Sequence, residues 1–201
     1  MGMETTVQDT AESVVEHHSQ RKTAMFLFIC AEAVIFGCLF ATYFVMLHHQ
    51  GNGPGPNEFF HFKKIILPTV LLVSSSLTWY FADVTLRMRE SGKALMFTAI
   101  TAALALGFLS LEVLEFLQNV SDGNTLSRSP FVSSYYLLVG LHGCHVLFGV
   151  LWMGLLLKHV KTKGDTEANR GRFASFGIYW HFVDSVWVFI FVLLYGLGEF
   201  L

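Results

Sequence analysis

From Ser129 to Leu157 the chain contains no Asp, Glu, Lys or Arg. A run that long, apolar on every side, has no polar face to turn towards water, so it is not a surface helix of a soluble domain. About 20 apolar residues in a helix cross the roughly 30 Å hydrocarbon layer of a bilayer, and four further runs reach that length. The first extends from Ala24 to Leu47 and is interrupted only by Glu32. The second, Ile65 to Leu86, follows Lys63 and Lys64 and places Pro68 in its first turn, where a missing N–H is cheap. The third, Ala94 to Leu117, carries Glu112 and Glu115 near its end; the fourth, Ser134 to Leu157, lies within the uncharged stretch; the fifth, Phe173 to about Gly198, contains Asp184. The expectation is an all-α integral membrane protein, a bundle of five transmembrane helices. The segments show no alternation of period two, which excludes a membrane β-barrel.

Composition agrees. Hydrophobic residues make up 53% of the chain and charged residues 14%, against roughly 25% charged in soluble domains. With a formal net charge of −2 there is no basic footprint for nucleic acid, and a soluble enzyme or a disordered chain is excluded. Cys30, Cys38 and Cys144 all fall inside apolar segments, an odd count without zinc or redox spacing, and read as small apolar filler. Residues 1–23 have no apolar core of a secretory signal and read as a polar, mobile tail. Residues 24–201 form one transmembrane domain. Its connections are a turn-rich linker at Gly51 to Asn57, a polar loop from Ser121 to Pro130 and a charged loop from Lys158 to Arg172. No internal repeat is visible.

With five spans, the N-terminal tail, the turn near Arg87 and the loop near Lys161 share one side. That side holds ten of the 13 Lys and Arg residues; Lys63, Lys64 and Arg128 are on the other. Positive loops stay in the cytoplasm, so the N-terminus is assigned inside and the C-terminus outside.

Each ionisable residue within a span costs about 2.5–3.5 kcal/mol or more on insertion scales and asks for a reason. At 1.5 Å rise per residue, Glu32 lies roughly 12 Å from the cytoplasmic face. His142 and His145 fall roughly 12–17 Å from the outer face, and His181 and Asp184 at similar depth from the inner one. These five could meet in the bundle interior; Glu112 and Glu115 are shallower. Three pairs, Glu112/Glu115, His142/His145 and His181/Asp184, have the i, i+3 spacing of one helix face. A metal or haem site, or a proton relay, is one reading. The Glu-x-x-His pattern of bundle di-metal sites is not met, and hydrogen bonding that fixes helix packing is the plainer one. Gly140, Gly143, Gly149 and Gly154 permit close helix approach in the fourth span. Trp180 and Trp187, about 10 Å apart along a helix, cannot both anchor at one interface; each is an anchor or a core filler. A stand-alone transporter would show an inverted repeat or broken helix, and neither is present.

Local sequence words narrow the reading. Tyr179-Trp180-His181-Phe182-Val183-Asp184-Ser185-Val186-Trp187-Val188-Phe189 closely resembles the last-helix motif of subunit III of haem–copper oxidases. Gly140-Leu141-His142-Gly143-Cys144-His145-Val146-Leu147-Phe148-Gly149 resembles that family's GxHGxHVxxG. The segments Leu106 to Phe116, Ala31 to Tyr43 and Leu72 to Thr78 are similar to its remaining three motifs, in order and one per span. The departures are Ala31 where Ser is usual, with Cys144 and Ser185 at variable positions.

The resemblance implies the short bacterial form with five spans. It implies a non-catalytic subunit of a proton-pumping terminal oxidase that reduces O₂ to water, fed by cytochrome c or, alternatively, by a quinol. Haems and copper are then expected in subunits I and II and none in this chain, which has no catalytic, cofactor-binding or metal-ligating residue of its own. Its expected partners are subunit I directly, subunit II, a small subunit IV and membrane phospholipid, in the bacterial plasma membrane. Glu32, Glu112, Glu115, His142, His145, His181 and Asp184 match the family's buried polar positions, with helix-packing or proton-related roles.

Overall fold

A computed structural model describes residues 2–47 and 62–193. The chain forms α1 (Gly2–Met46), α2 (Phe62–Arg87), α3 (Ser91–Ser121), α4 (Pro130–Lys163) and α5 (Glu167–Phe191). No strand occurs among the described residues. All five helices are long and apolar enough to cross a membrane. The linker at Gly51 to Asn57 and the end of the fifth run beyond residue 193 lie outside the described residues.

Helices α2, α3, α4 and α5 close a ring, each packed against its two neighbours, and α1 lies outside against α4 and α5. The seams follow from side-chain spacing. Along α3, Ala94, Thr98, Thr101 and Ala105 are buried at steps of four, three and four residues. That stripe of small residues lets α2 approach closely, which is how helices associate where lipid supplies no hydrophobic drive. Thr78 Oγ1 and Thr101 Oγ1 meet across this seam at 2.8 Å. Along α4 the buried positions Val132, Tyr135, Val139, His142, Val146, Gly149, Met153, Leu156 and Val160 keep a heptad spacing. Among the described side chains of α1 a narrow line is buried, Met25, Phe36 and Tyr43, continued by Leu47 just past its end, with Glu32 half-buried on the same face. Phe26, Leu27, Val34 and Val45 point outward.

Several boundaries differ from the sequence expectation. The backbone of residues 2–23 is helical and runs on without a break into the first span. The stretch Lys158 to Arg172, expected as a loop, is mostly helix, since charged residues beyond the hydrocarbon edge extend a helix as readily as apolar ones. The break is confined to Gly164–Thr166, where Gly164 takes φ +67° and donates its N–H to Val160 O at 2.9 Å. Thr166 then caps α5 by accepting from Asn169 N at 3.2 Å, and Arg170 forks onto Asp165 at 2.8 and 2.5 Å. That guanidinium, bonded to Asp165 just outside the span, holds the carboxyl below the usual carboxylate range. On the opposite side Ser129 caps α4 by accepting from Val132 N at 3.1 Å, with Pro130 at the first helical position. Helix α2 starts at Phe62, so Pro68 falls in its second turn and not its first.

Candidate functional site

The ionisable residues of the spans divide into separate groups; they do not meet as one cluster. The first group joins α1 to α4. His145 Nε2 lies 2.9 Å from Glu32 Oε2, and His145 Nδ1 lies 2.8 Å from Leu141 O on its own helix. A carbonyl only accepts, so Nδ1 carries a proton and donates it. The Nε2···Oε2 contact then needs one proton shared between them, on an imidazolium facing a carboxylate or on a carboxylic acid facing a neutral ring. Either way one proton lies between the two groups and the pair carries no net charge, the form of a Glu and a His that membrane depth tolerates. Tyr179 Oη donates to His145 O at 2.8 Å, tying α5 to the same turn. Phe36 packs its ring 5.1 Å from the imidazole. Glu32 and His145 side chains are 15% and 14% exposed, because a cleft of about 260 Å³ bounded by Phe28, Cys144, Phe148 and Tyr179 opens beside them. The pair is therefore reachable from the lipid side.

The second group joins α2 to α5. Ser76 Oγ donates to Asp184 Oδ2 and lies 3.0 Å from His181 Nδ1. A hydroxyl has one proton; with that proton on Asp184, the imidazole N–H donates to Ser76. His181 and Asp184, expected as a pair by their spacing, are thus linked through a serine on the facing helix; Asp184 is buried, but His181, expected in the bundle interior, is exposed on the outer side of the seam. Asp184 Oδ1 is buried with no hydrogen-bond partner.

Two indoles extend this seam. Trp180 Nε1 donates to Ser75 Oγ and Trp187 Nε1 to Thr69 Oγ1, each at 3.2 Å. Ser75 and Thr69 pass their own protons to Leu72 O and Ile65 O on α2. Both tryptophans are fully buried, so they are core fillers. Ser75, Ser76, Thr69 and Tyr179 were not among the expected site residues. The Leu72 to Thr78 word contained two of them, and the last-helix word contained Tyr179.

His142 stands apart. It is fully buried in the α4 heptad stripe, stacked on Trp187 with ring centroids 5.2 Å apart and edge-on to Phe108 at 5.8 Å. Neither ring nitrogen has a partner. The i, i+3 spacing placed it beside His145, but the structure turns His142 into the ring of helices and His145 towards α1. Glu112 is buried on α3, and Glu115 is half-buried one turn on. Among the described residues no three His, Cys, Asp or Glu side chains come together in a way that could hold a metal ion. The three cysteines are free and on outward faces rather than in the packed interior.

The model of a family described as cytochrome c oxidase subunit III matches residues 1–199. The chain belongs to that family. It is 39% identical over 172 residues to the cytochrome c oxidase subunit 3 of Bacillus sp. (strain PS3), covering 86% of this chain and 83% of the relative. It is 38% identical over 174 residues to the quinol oxidase subunit 3 of Bacillus subtilis (strain 168), covering 86% and 85%. It is 35% identical over 172 residues to the cytochrome bo(3) ubiquinol oxidase subunit 3 of Pseudomonas aeruginosa, covering 86% and 82%. As an oxidase subunit III it is a multi-pass bacterial membrane protein and a member of a terminal oxidase complex. The oxidase resemblance read from five sequence words is borne out across the whole chain.

Proposed function

We propose that this subunit III supports a proton-pumping terminal oxidase without a redox centre of its own. It packs against subunit I, with subunit II and a small subunit IV in the same complex. Haems and copper sit in subunits I and II, where O₂ is reduced to water. Cytochrome c is the donor; a quinol is the alternative, since relatives of both names share this scaffold. The observation that carries the reading is how the polar side chains are used. His145 is bonded to Glu32 and to its own helix, and His181 and Asp184 are bonded to Ser76. Groups occupied in this way brace helices.

The Glu32–His145 pair shares a proton across its contact beside a cleft open to lipid, a placement suited to sustaining proton supply to subunit I. Phospholipid packs against the lipid-facing surface of the bundle.

The test is to tag the chain, purify it in mild detergent, identify its partners by mass and record a reduced-minus-oxidised spectrum. Haem absorption with co-purified subunits I and II is expected. In the His181→Leu variant, less complex should be recovered, with the same haem per complex. Haem bound by the isolated chain, or haem lost from intact His181→Leu complex, would overturn the proposal.

A further inference from the structure

One feature of the bundle is unused by this bracing role. Between α3 and α4 runs a groove of about 650 Å³, with Leu106, Leu109, Phe116, Gly140, Gly143 and Leu147 on its walls. Its size is within the roughly 300–1,000 Å³ of sites for small ligands. On α3 it extends from Phe116 to Leu106, roughly 15 Å at helical rise. By the charge-derived orientation it therefore runs from the outer membrane boundary towards the midplane. Gly140 and Gly143 make part of its floor bare backbone. A Cβ at either would already touch the facing wall, at 3.7 Å from Phe116 and 3.9 Å from Leu109.

The polar content of the groove is Glu112, Ser110 and Cys144. Ser110 donates its proton to Leu106 O at 2.8 Å. Glu112 is 6% exposed, and its Oε1 is buried with no hydrogen-bond partner. It lies five residues inside the end of the apolar run at Leu117, about 7–8 Å below the outer edge. A buried carboxyl oxygen left without a partner is costly, and the residue that carries it is one of those lining the apolar channel. Its occupant needs a hydrogen-bonding group at Glu112 and an apolar tail reaching towards Leu106 and Leu147.

Charge selects the class. No Lys, Arg or His lines the groove, so a phosphate would meet a carboxyl with nothing to neutralise it. A bare acyl chain would leave Oε1 unsatisfied. A quinone carbonyl accepts from a carboxylic acid, and a quinol hydroxyl donates to a carboxylate. The same ring thus matches Glu112 in either redox form, and its polyprenyl tail matches the apolar channel.

We propose that the groove between α3 and α4 binds a neutral tailed quinone or quinol, its ring oxygen hydrogen-bonded to Glu112. The site belongs to this chain and is independent of which donor the oxidase uses.

The test uses the whole oxidase complex in lipid nanodiscs and a photoreactive azido-quinone with a short prenyl tail, with labelled peptides mapped by mass. Labelling is expected on this chain within residues 106–116 or 139–147. A non-reactive short-tailed quinol should suppress it about fivefold or more, and phosphatidylglycerol should not. Glu112→Gln, which keeps a hydrogen-bonding group, should retain labelling, while Glu112→Leu should lose about fivefold or more. Ser110→Phe fills the exposed side of the groove without altering Glu112, and should abolish labelling in complex of normal haem content, even if Glu112→Leu fails to assemble. Labelling confined to other subunits would overturn the proposal. So would equal labelling in Ser110→Phe, or equal competition by phosphatidylglycerol, which would mark the groove as an acyl-chain site. Because the readout is a peptide mass on this chain, failure here leaves the oxidase-subunit reading untouched.

Discussion

Gly149 is the position where one added carbon should do the most damage. A Cβ built there meets Trp180 Cζ3 at 2.5 Å and Cε3 at 2.9 Å, with Tyr179 Cε1 at 3.4 Å. Ordinary carbon contacts are about 3.5–4.0 Å, so the indole must retreat by about 1 Å. It has little freedom to do so: Trp180 is fully buried, bonded to Ser75 and stacked on Phe176 with centroids 5.7 Å apart. Overpacking of this kind costs about 1–3 kcal/mol, against about 0.5–1 kcal/mol gained by replacing a helical glycine with alanine. Gly149→Ala should therefore destabilise the α4–α5 seam by up to about 2.5 kcal/mol net, towards the upper end because the indole is held on several sides. Gly154, five residues along the same helix, has nothing within 4 Å of its Cβ position, so Gly154→Ala should be neutral or slightly stabilising. Thermal unfolding of the purified complex, followed by fluorescence-detected size exclusion, compares the two directly. Trp180→Leu, which vacates the clashing ring atoms, should make the double variant with Gly149→Ala less destabilised than the sum of the two single changes. Equal midpoints for Gly149→Ala and Gly154→Ala would refute the close-approach argument.

Three other outcomes follow from the same geometry. His145→Leu leaves Glu32 without its proton-sharing partner at a depth where a lone ionisable group costs about 2.5–3.5 kcal/mol. Recovery of assembled complex should drop several-fold and be partly restored in Glu32→Gln/His145→Leu; a double variant no better than the single one would discount the pairing. Trp187→Phe and Thr69→Val each remove the same interhelical bond, of a kind averaging about 0.6 kcal/mol in membranes. Their combined effect should be about that of one alone, and full additivity in a double-mutant cycle would refute the bond. Asp165, held below the usual carboxylate range by Arg170, contributes stability that is present above its unfolded-state value of about 3.9 and is lost as pH falls through its lower folded value. Protection of the Gly164–Thr166 amides against hydrogen exchange should be flat from neutral pH to about 5 and decline only in stronger acid. Asp165→Asn should remove that acid-dependent component, and an unchanged profile in the variant would discount the Arg170 fork.

The number of helices and their approximate positions were legible because apolar run length is set directly by bilayer thickness. Helix ends were less so, because outside the hydrocarbon layer helix formation is decided by caps such as Ser129 and Thr166 and by the left-handed Gly164, not by hydropathy. The arrangement of polar groups was legible only in part. An i, i+3 spacing fixes a shared helix face but spans enough of that face for the two side chains to meet different neighbours. His142 enters the ring against Trp187 while His145 reaches α1, and both obey the spacing. Which helix faces which is a property of the ring, and no single segment encodes it.

The seam between α2 and α5 shows how the serine-rich word and the last-helix word depend on each other. The helices run antiparallel, so positions late in α5 meet positions early in α2: Trp187 with Thr69, Trp180 with Ser75, and Phe176 with Trp79 at 4.4 Å between centroids. Consecutive residues on a helix point about 100° apart, so one serine cannot serve two donors lying on different sides of the facing helix. Trp180 occupies the fully buried side and takes Ser75, whereas His181 and Asp184 lie towards the edge of the seam and take Ser76, which is only part-buried. Two adjacent hydroxyls are therefore what a Trp-His-x-x-Asp sequence on the opposite helix requires. Replacing Ser75 with alanine should strand the Trp180 indole and leave the His181–Ser76–Asp184 link intact. Replacing Ser76 should do the reverse, so the Trp180 fluorescence environment would shift in the first variant and not in the second.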